Sequence, residues 1–462
     1  MNYFKLLKNI NRNFGYKDFL IIDDDKYTYE KIYEDSVMIS DFIRNNIKES
    51  NTYQNKKTIL ILSKDIYFQL VLFFAANRIG LIPIIIHSGI SNEVLNEIME
   101  LNKISMLVSD DNQDIEKSKL IQLDTLKNKL NIYIRRDIKN NILLNSEICM
   151  GVFTSGSTGI PKVLYRTYKS WAGFFSTQNK IFKINGESKL FINGEVSFTG
   201  NLNVIMSILY EGSTIFINRT LNPNKWIDSI EKYNVSNIYI IPTKLKLLCK
   251  KLNKNIKNIK TVFTGSQLLS EDIGEKLKKY FNNCEIILYY GASELNYISY
   301  IIYEEIKQKP LSVGKPFPEV DVFTKNDYIY INTDYHVENI KCPCTVYDKG
   351  YIDKDGYLIF QGREDDIINC GGVKISLFKI EYILKEIDGV EDAVVISLDN
   401  DVRGKDICAF IVPKVKISRK YIIDQLKKRI IDIEIPRKIF FLKDIPLNTI
   451  GKIDIKELKR RI

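Results

Sequence analysis

The sequence has 462 residues, of which 45% are hydrophobic and 27% charged, and 67 Lys and Arg against 57 Asp and Glu give a net charge of +10. This composition is that of a globular chain long enough for more than one domain, and it excludes disordered, collagen-like and coiled-coil proteins. The basic residues form short clusters at 244–260 and 456–461, so nucleic-acid binding is not expected. The excess of positive charge favours a polyanionic small-molecule ligand.

Neither a membrane span nor a secretion signal is predicted. The longest apolar run, Leu70–Ala76, is far below the roughly 18–20 residues that a bilayer requires. Seven cysteines are scattered, and the close pair Cys342 and Cys344, even with His336, lacks the second ligand pair of a zinc site. Because His87 is the only other histidine, a Ser-His-Asp triad is not expected either. We therefore predict a cytoplasmic protein with reduced cysteines.

Short β-branched runs alternate with amphipathic helical stretches between residues 55 and 375. The first cycle is a strand over 58–63, a helix over 65–80 that ends at a glycine, and a strand over 81–86. The next predicted elements are helix 92–101, strands 104–109 and 190–193, helix 203–210, strand 214–218, helix 226–233, strands 237–241 and 261–264, helix 271–281 and strand 285–289. This alternation predicts an α/β fold with layered, largely parallel sheets.

The pattern changes after Gly362-Arg363. A helix is predicted over 377–387, strands over 390–397 and 406–412, a helix over 419–430, and then an extended tail. Such a stretch, roughly a hundred residues long, is enough for a small α+β domain. We therefore predict a large N-terminal domain of layered sheets and helices at residues 1–363 and a small C-terminal domain at residues 364–462, with the boundary near Asp365.

The strongest local signal is the stretch GVFTSGSTGIPK at residues 151–162. An apolar lead-in ends in a loop with four hydroxyl side chains, two glycines and Lys162. Glycines let backbone N–H groups approach phosphate oxygens, while Ser and Thr add neutral donors. A solvent-exposed Ser/Gly turn is the alternative, but such a turn does not require four hydroxyls ahead of a Pro-Lys pair. The loop is not a Walker A motif, because Val163 follows the lysine.

This loop resembles the phosphate loop of the acyl-adenylate-forming (AMP-binding) superfamily, which includes stand-alone acyl-CoA synthetases and acyl-acid–AMP ligases. Further motifs that resemble those of the superfamily follow in the same order along the whole chain. They are Tyr290-Gly291-Ala292-Ser293-Glu294, Ser312-Val313-Gly314-Lys315-Pro316, Asp348 before a GYIDKDGY stretch, Gly362-Arg363-Glu364-Asp365-Asp366, Gly371-Gly372-Val373-Lys374-Ile375, and PLNTIGK at 446–452. The resemblance implies an enzyme with a mobile C-terminal domain.

The implied reaction joins ATP to a carboxylic acid, releases pyrophosphate and forms an acyl-AMP, with Mg²⁺ as cofactor. Two anions must meet in line, which requires cations and preorganised donors. The nucleotide-binding residues that the resemblance implies are Thr154, Ser155, Gly156, Ser157, Thr158, Gly159, Gly265, Ser266, Tyr290, Gly291, Ala292, Asp348 and Arg363. Asp348 would accept the ribose hydroxyls, with Arg363 in support, and Gly265-Ser266 would flank the adenine and the acyl pocket.

The resemblance assigns the catalytic roles to four residues. Ser293 would contact the α-phosphate, Glu294 would ligate Mg²⁺, and Lys162 would lie near the β- and γ-phosphates. Lys452 would bridge the substrate carboxylate and the α-phosphate in the transition state. Taken singly, Glu294 could be a helix N-terminal acid and Lys452 a solvated lysine, but the joint pattern favours the catalytic roles.

Asp365 resembles the hinge about which the C-terminal domain rotates after adenylation. Rotation would withdraw Lys452 and bring Gly371 and Gly372 towards the site, where a thiol enters to take the acyl group. A helix-capping or ion-pairing role is the alternative for Asp365, and Asp366 is the second candidate hinge. The sequence departs from the family pattern at two places near these motifs. Val346-Tyr347 replaces Thr-Gly before Asp348, and Leu377 and Lys379 replace Pro and Glu.

Phe198 and Thr199 are predicted to lie at the substrate pocket. Thr199 aligns with the aspartate that pairs with the ammonium group in amino-acid-activating members, and a threonine cannot neutralise an ammonium. We therefore expect a fatty or aryl acid rather than an amino acid, with CoA as the acyl acceptor. Loading of a separate carrier protein is the alternative. A non-catalytic adenylate-binding homologue is a third hypothesis, disfavoured because Lys162, Glu294, Asp348 and Lys452 are all retained.

Overall fold

The computed structural model describes residues 1–47, 58–116, 118–124, 129–135, 145–153, 160–370, 373–400, 404–447 and 453–462. Internal contacts divide the chain into two units. The first unit contains Met1–Lys307, Pro316–Asp321 and Asn332–Cys344, and the second contains Gln308–Lys315, Val322–Ile331 and Thr345–Ile462. The predicted α/β class, with one large and one smaller part, is confirmed. The predicted boundary between residues 363 and 364 falls inside the second unit and stays a prediction.

The first unit holds helices α1 to α11. They are α1 (Tyr3–Phe14), α2 (Tyr29–Ile47), α3 (Ile66–Arg78), α4 (Asn92–Leu101), α5 (Lys169–Ala172), α6 (Phe175–Ile181), α7 (Thr199–Glu211), α8 (Pro223–Lys232), α9 (Pro242–Lys251), α10 (Glu271–Tyr280) and α11 (Tyr303–Ile306). Caps fix several of their starts, because the side chain of Asp65 accepts from the backbone N–H of Tyr67 and that of Ser91 accepts from the N–H of Val94.

The first unit also holds strands β1 to β15. They are β1 (Asp18–Ile22), β2 (Asp25–Thr28), β3 (Thr58–Leu62), β4 (Ile82–Ile85), β5 (Met106–Ser109), β6 (Ser118–Asp124), β7 (Lys129–Arg135), β8 (Ile148–Phe153), β9 (Val163–Thr167), β10 (Lys189–Asn193), β11 (Thr214–Asn218), β12 (Asn237–Tyr239), β13 (Thr261–Thr264), β14 (Glu285–Ala292) and β15 (Asn296–Ile302). Buried β-branched and aromatic side chains dominate the central strands, as two-sided burial requires.

These strands form two sheets with helices packed between and around them. One sheet has the order β6-β7-β5-β3-β4-β8-β9, and the other runs β15-β14-β13-β12-β10-β11-β1-β2 within this unit. Neighbours are parallel in the centre of each sheet, for example β3 with β4 and β10 with β12, as the sequence predicts. The pairs at the edges, including β8 with β9 and β14 with β15, are antiparallel. Helix α3 is buried around its circumference because it lies within the layers.

The second unit consists mainly of antiparallel strands and a small α+β part. Its elements are β16 (Ser312–Pro316), β17 (Asp321–Lys325), β18 (Tyr328–Asn332), β19 (Asp348–Ile352), β20 (Leu358–Arg363), β21 (Ile367–Cys370), β22 (Val373–Ser376), α12 (Leu377–Lys385), β23 (Val390–Asn400), β24 (Gly404–Pro413), α13 (Arg419–Lys427), β25 (Lys438–Phe441) and α14 (Ile455–Arg460), with 3₁₀ turns at Glu364–Asp366 and Asp432–Glu434. Strands β17-β18-β19-β20-β16 are neighbours in this order within one sheet. Strands β21-β22 form a second sheet, and β23-β24-β25 form a third.

Strand β23 shows why this part folds as predicted. Its alternating side chains enter two different cores, Ala393 and Val395 on one face and Val394 and Ile396 on the other. The first face packs against α12 and α13, and the second against Leu458 of α14. A strand with apolar residues on both faces requires cover on both sides, because successive side chains point in opposite directions.

Several sequence predictions differ from the structure, and further elements, such as β6, β7 and α9, are not predicted at all. Helices α1 and α2 at the N-terminus are absent from the prediction, although Asn2 caps α1 and its apolar residues are spaced for a helix. Helix α7 begins at Thr199 rather than 203, because burial outweighs the low helix propensity of Thr199 and Gly200. The tail contains β25 and α14 rather than extended chain alone, since both elements cover the core around β24. In the described part of the chain, no helix has the length and apolarity to cross a membrane.

Candidate active site

The phosphate loop predicted from the sequence follows β8 and precedes β9. The two strands pair antiparallel, with Phe153 opposite Val163. The residues predicted to hold phosphates between them, Thr154, Ser155, Gly156, Ser157, Thr158 and Gly159, lie outside the described residues. Lys162, the next predicted residue, is described, and it is exposed to solvent immediately before β9.

Asn102, at the C-terminal end of α4, fixes the backbone on both sides of Lys162. Its Nδ2 donates to the carbonyl oxygen of Pro161 at 3.0 Å, and its Oδ1 accepts from the N–H of Val163 at 2.8 Å. The two bonds use both ends of one amide and so define the backbone direction at Lys162. Sequence reasoning missed Asn102, because an asparagine after a helix is common as a cap and signals nothing more.

The motif predicted to contact the α-phosphate and Mg²⁺ forms the turn between β14 and β15. Gly291 is required there, because a Cβ at this position would lie 2.6 Å from the carbonyl oxygen of Asn296. Ser293 and Glu294 are half-buried in the turn. The carbonyl oxygen of Glu294 accepts from the N–H of Val337 at 2.9 Å. The side chains of Ser293 and Glu294 therefore project from a turn whose backbone is held in place.

A buried arginine that the sequence analysis missed joins this turn to β9. Arg166 lies on β9, is fully buried, and donates from Nη2 to the carbonyl oxygen of Ser293 at 2.6 Å. Its Nη1 donates to the carbonyl oxygen of Tyr335 at 3.1 Å, and its guanidinium lies 5.3 Å from the ring of Trp171. Burial lowers the pKa of Arg166 to about 10, and nearby Tyr3 and Glu294 partly offset this lowering. Arg166 is therefore charged at neutral pH.

Asp348 and Arg363, predicted to support the ribose, lie together in the second unit. They are opposite each other on β19 and β20, and Arg363 Nε is 3.5 Å from Asp348 Oδ1. Asp348 is buried, whereas Arg363 is mostly exposed. The preceding residue, Tyr347, has a φ of 62°, so it keeps the left-handed backbone that a glycine adopts freely. Tyr347 therefore stands in a backbone conformation that suits the glycine of the family pattern.

The other departures have structural roles in the second unit. Leu377 is buried in the core that α12 forms with β23, and Lys379 Nζ donates to Glu434 Oε1 at 2.8 Å. Glu381, which keeps the family pattern, accepts from the N–H of Val395 at 3.2 Å. Leu377 and Lys379 therefore have packing and ion-pairing roles within the second unit that do not depend on the predicted thiol path.

Phe198, Thr199, Gly265 and Ser266 are all described. Phe198 is the N-cap residue of α7, and Thr199 Oγ1 donates to the carbonyl oxygen of Phe153 at 3.4 Å, at the end of β8. Ser266 is exposed and has a φ of 72° immediately after β13 and Gly265. A strained backbone of this kind persists where the surrounding structure holds it, and it is frequent at binding sites.

The remaining predicted residues are described in part or not at all. Asp365 lies in the 3₁₀ turn Glu364–Asp366, which starts where the N–H of Arg363 donates to Asp366 Oδ2 at 3.4 Å. Gly371, Gly372 and Lys452 lie outside the described residues. The hinge, the thiol path and the bridging lysine therefore stay predictions. Among the residues that the structure describes, no cluster of three or more His, Cys, Asp and Glu could hold a metal ion.

The chain belongs to the AMP-binding enzyme family. The model of that family matches residues 7–328, and the model of the AMP-binding enzyme C-terminal domain matches residues 379–452. The resemblance drawn from the sequence motifs is thereby confirmed, as is the prediction that the protein is an enzyme. The two matched regions also cover the turn that carries Ser293 and Glu294 and the segment that carries Lys452.

Several relatives carry names that describe a related chemistry. The putative long chain fatty acid-CoA ligase VraA of Staphylococcus aureus (strain COL) is 25% identical over 453 residues, which cover 94% of this chain and 93% of that protein. The uncharacterized acyl-CoA ligase YhfT of Bacillus subtilis is 27% identical over 325 residues, or 67% of each chain. The fold is that of o-succinylbenzoate CoA synthetase (MenE) from Bacillus subtilis, solved with its acyl-adenylate intermediate, with a TM-score of 0.80, 18% identity and coverage of 98% and 97%.

Proposed function

We propose that this protein is an AMP-forming acid–thiol ligase, which activates a carboxylic acid with ATP and transfers the acyl group to CoA. The observation that carries the proposal is the hydrogen bond from Arg166 to Ser293. It links positions 127 residues apart and ties the strand after the phosphate loop to the turn that presents Ser293 and Glu294. Lys162, which precedes β9, and Ser293 and Glu294, which follow β14, are therefore attached to strands that this hydrogen bond links.

The described residues fit ATP and Mg²⁺. Mg²⁺ keeps several waters and is commonly held by one or two carboxylates together with substrate phosphates. In this proposal Glu294 supplies one carboxylate, and the substrate phosphates supply further oxygen ligands. When bound, the ion would neutralise phosphate charge as pyrophosphate leaves.

In this proposal each residue has one task in the first half-reaction. Ser293 orients the α-phosphate, Lys162 neutralises charge on the leaving pyrophosphate, and Asp348 accepts the ribose hydroxyls. Lys452 holds the substrate carboxylate against the α-phosphate, so that the oxygen attacks phosphorus in line with the departing pyrophosphate. A carboxylate attacking a triphosphate meets strong repulsion, and fixed cations lower that barrier most when water is excluded.

The acid that we propose is a fatty or aryl acid. The hydroxyl of Thr199 bonds to a backbone carbonyl and carries no charge to pair with an ammonium group. Burying an unpaired ammonium costs several kcal/mol, so an α-amino acid should react far more slowly than its deaminated analogue. CoA is the proposed acceptor because the VraA and YhfT relatives are named CoA ligases.

A screen of carboxylic acids for pyrophosphate release, run with and without CoA, tests the proposal. We expect release with a fatty or aryl acid, and AMP release that depends on CoA. An acid that yields acyl-AMP but no CoA-dependent AMP release would favour a separate carrier protein as acceptor. An amino acid that outperforms every fatty and aryl acid would contradict the proposed substrate class, and no turnover with any acid would contradict the proposed activity.

A further inference from the structure

Two tyrosines lie beside the predicted acyl pocket. Tyr239 lies at the end of β12 and Tyr289 on β14, and their hydroxyl oxygens are 2.8 Å apart, within hydrogen-bonding distance. Tyr239 is buried and Tyr289 is half-buried. Both belong to the first unit, in which α7 covers this end of the sheet.

The tyrosine pair lies directly against the two segments predicted to line the pocket. A Cβ on Gly200, the residue after Thr199, would lie 2.2 Å from the Tyr239 hydroxyl. A Cβ on Gly265, the residue before Ser266, would lie 2.5 Å from the Tyr289 ring. A side chain at either position would force the neighbouring tyrosine to shift, so the two tyrosines lie tightly against the first turn of α7 and the end of β13.

Further aromatic rings occupy the space behind the pair. Phe263 stacks on Tyr239 with ring centroids 5.1 Å apart and on Phe182 at 4.2 Å. The ring of Tyr297 meets Tyr289 edge to face at 4.6 Å. A long acyl chain that entered beside Thr199 would have to displace several interlocking buried rings, and close-packed interiors do not open in this way without cost.

A second set of hydrogen bonds ties the next turn of α7 to its neighbours. Tyr297 Oη donates to Oδ1 of Asn203 at 3.2 Å, and Gln178 Nε2 donates to the same oxygen at 3.2 Å. All three residues are buried. An alkyl chain that displaced this link would leave buried polar groups without partners, which is more costly than moving apolar side chains.

We infer that Tyr239 and Tyr289 limit the acid to a short alkyl chain or a single aromatic ring, and that long-chain fatty acids are excluded. This inference rests on the proposed function and narrows its substrate class. The inferred substrate differs from the long-chain fatty acid in the name of the VraA relative. Tyr239 acts here as a specificity-determining residue, because its hydroxyl lies against the first turn of α7, where the pocket is predicted.

The test is a chain-length profile of pyrophosphate release with butanoate, hexanoate, octanoate, dodecanoate, hexadecanoate and benzoate. Wild-type protein should prefer butanoate, hexanoate or benzoate, with hexadecanoate the poorest. Tyr239→Ala should raise kcat/KM for octanoate relative to butanoate by about tenfold or more, since each methylene accommodated in an apolar pocket is worth about tenfold or more. Tyr239→Phe, which keeps the ring, should retain the wild-type profile.

The outcomes separate the inference from the proposed function. A wild-type protein that uses hexadecanoate as well as butanoate overturns the inference alone. A folded Tyr239→Ala variant with the wild-type profile overturns the role of Tyr239. If that variant does not fold, the wild-type profile decides the substrate class. Absence of pyrophosphate release with every acid overturns the proposed function itself.

Discussion

Lys452, in the PLNTIGK motif, is the residue on which the proposed adenylation step most depends. Lys452→Ala should lower the rate of acyl-adenylate formation by about 10²–10³-fold, because it removes a preorganised charge that acts in the transition state. ATP binding should change little, since Lys162, Ser293 and Asp348 remain. Pyrophosphate exchange measures the first effect and nucleotide titration the second. Exchange near the wild-type rate would show that another cation takes this role.

The burial of Lys244 makes the free energy of unfolding depend on pH. It lies in the first turn of α9, is buried, and donates from Nζ to the carbonyl oxygen of Asn193 at 3.0 Å. Burial lowers its pKa from 10.5 to about 8, and the charge of nearby Glu195 partly offsets this. Between these two values the unfolded chain binds more protons than the folded chain, so the contribution of Lys244 to stability rises with pH.

Relative to wild type, Lys244→Met should therefore be most favourable below pH 8. At pH 7 the folded state carries the ammonium at a cost of about 3 kcal/mol relative to water, and the variant removes this cost, whereas the loss of the donor to the Asn193 carbonyl oxygen costs about 1–3 kcal/mol at every pH. The advantage of the variant should shrink as the pH rises from about 8 to 10.5. Urea unfolding of both proteins across this range checks the prediction. Lys251→Met, an exposed change on the same helix, should show no such trend, and parallel curves for wild type and Lys244→Met would contradict it.

At the scale of elements, the end of α4 positions the residues that follow the phosphate loop. Asn102→Ala removes both bonds to the backbone around Lys162, so the lysine should lose its fixed direction. We expect adenylation about tenfold slower, because small displacements of a catalytic cation are costly, and a stability loss of only about 1 kcal/mol. Pyrophosphate exchange measures the rate. Glu97→Ala, an exposed change on α4, is the matched control, and equal rates for the two variants would remove Asn102 from this role.

Arg166 joins β9 to the turn between β14 and β15. Arg166→Met keeps much of the volume but leaves the carbonyl oxygens of Ser293 and Tyr335 without these donors. Each buried carbonyl left unpaired costs about 1–3 kcal/mol, so unfolding should occur at a clearly lower urea concentration. The urea midpoint of Arg166→Lys should lie between those of wild type and Arg166→Met, because an ammonium group keeps the charge but lacks the forked donors of the guanidinium. An unchanged midpoint for Arg166→Met would mean that water replaces the lost bonds.

At the scale of the whole molecule, the prediction concerns the two half-reactions and the turn at Asp365. Proline at 365 would fix φ near roughly −65° and remove an N–H donor at a position where we expect the backbone to change. Asp365→Pro should therefore impair acyl transfer to the thiol far more than adenylation. The measurement is a single-turnover experiment in which acyl-AMP is formed first and CoA is then added.

Asp365→Ala is the control for loss of the side chain alone, since it leaves the backbone free. Equal losses in both half-reactions for Asp365→Pro would indicate misfolding. A normal transfer step would move the hinge elsewhere, and Asp366, in the same 3₁₀ turn, would be the next residue to test.

The sequence by itself determined the family and most of the elements of the first unit from β3 to β14. Motifs such as TSGSTGIPK and YGASE are local, and each residue type has a direct chemical reason in phosphate or metal binding. The strand–helix alternation is likewise local, because burial on one face or both imposes a short period on the apolar residues. For the same reason Asp348 and Arg363 could be named before their pairing on β19 and β20 was known.

Only the tertiary structure decided which further residues shape the site. Arg166 meets Ser293 across 127 positions, Asn102 meets Val163 across 61, and Tyr239 meets Tyr289 across 50. An arginine in a strand, an asparagine after a helix and a tyrosine in a buried strand are common features whose meaning depends on their partners. Periodicity reports which face of an element is buried, but not which distant residue lies against it. The tertiary packing therefore determined how the turn at Ser293 is held and which residues lie against the predicted acyl pocket.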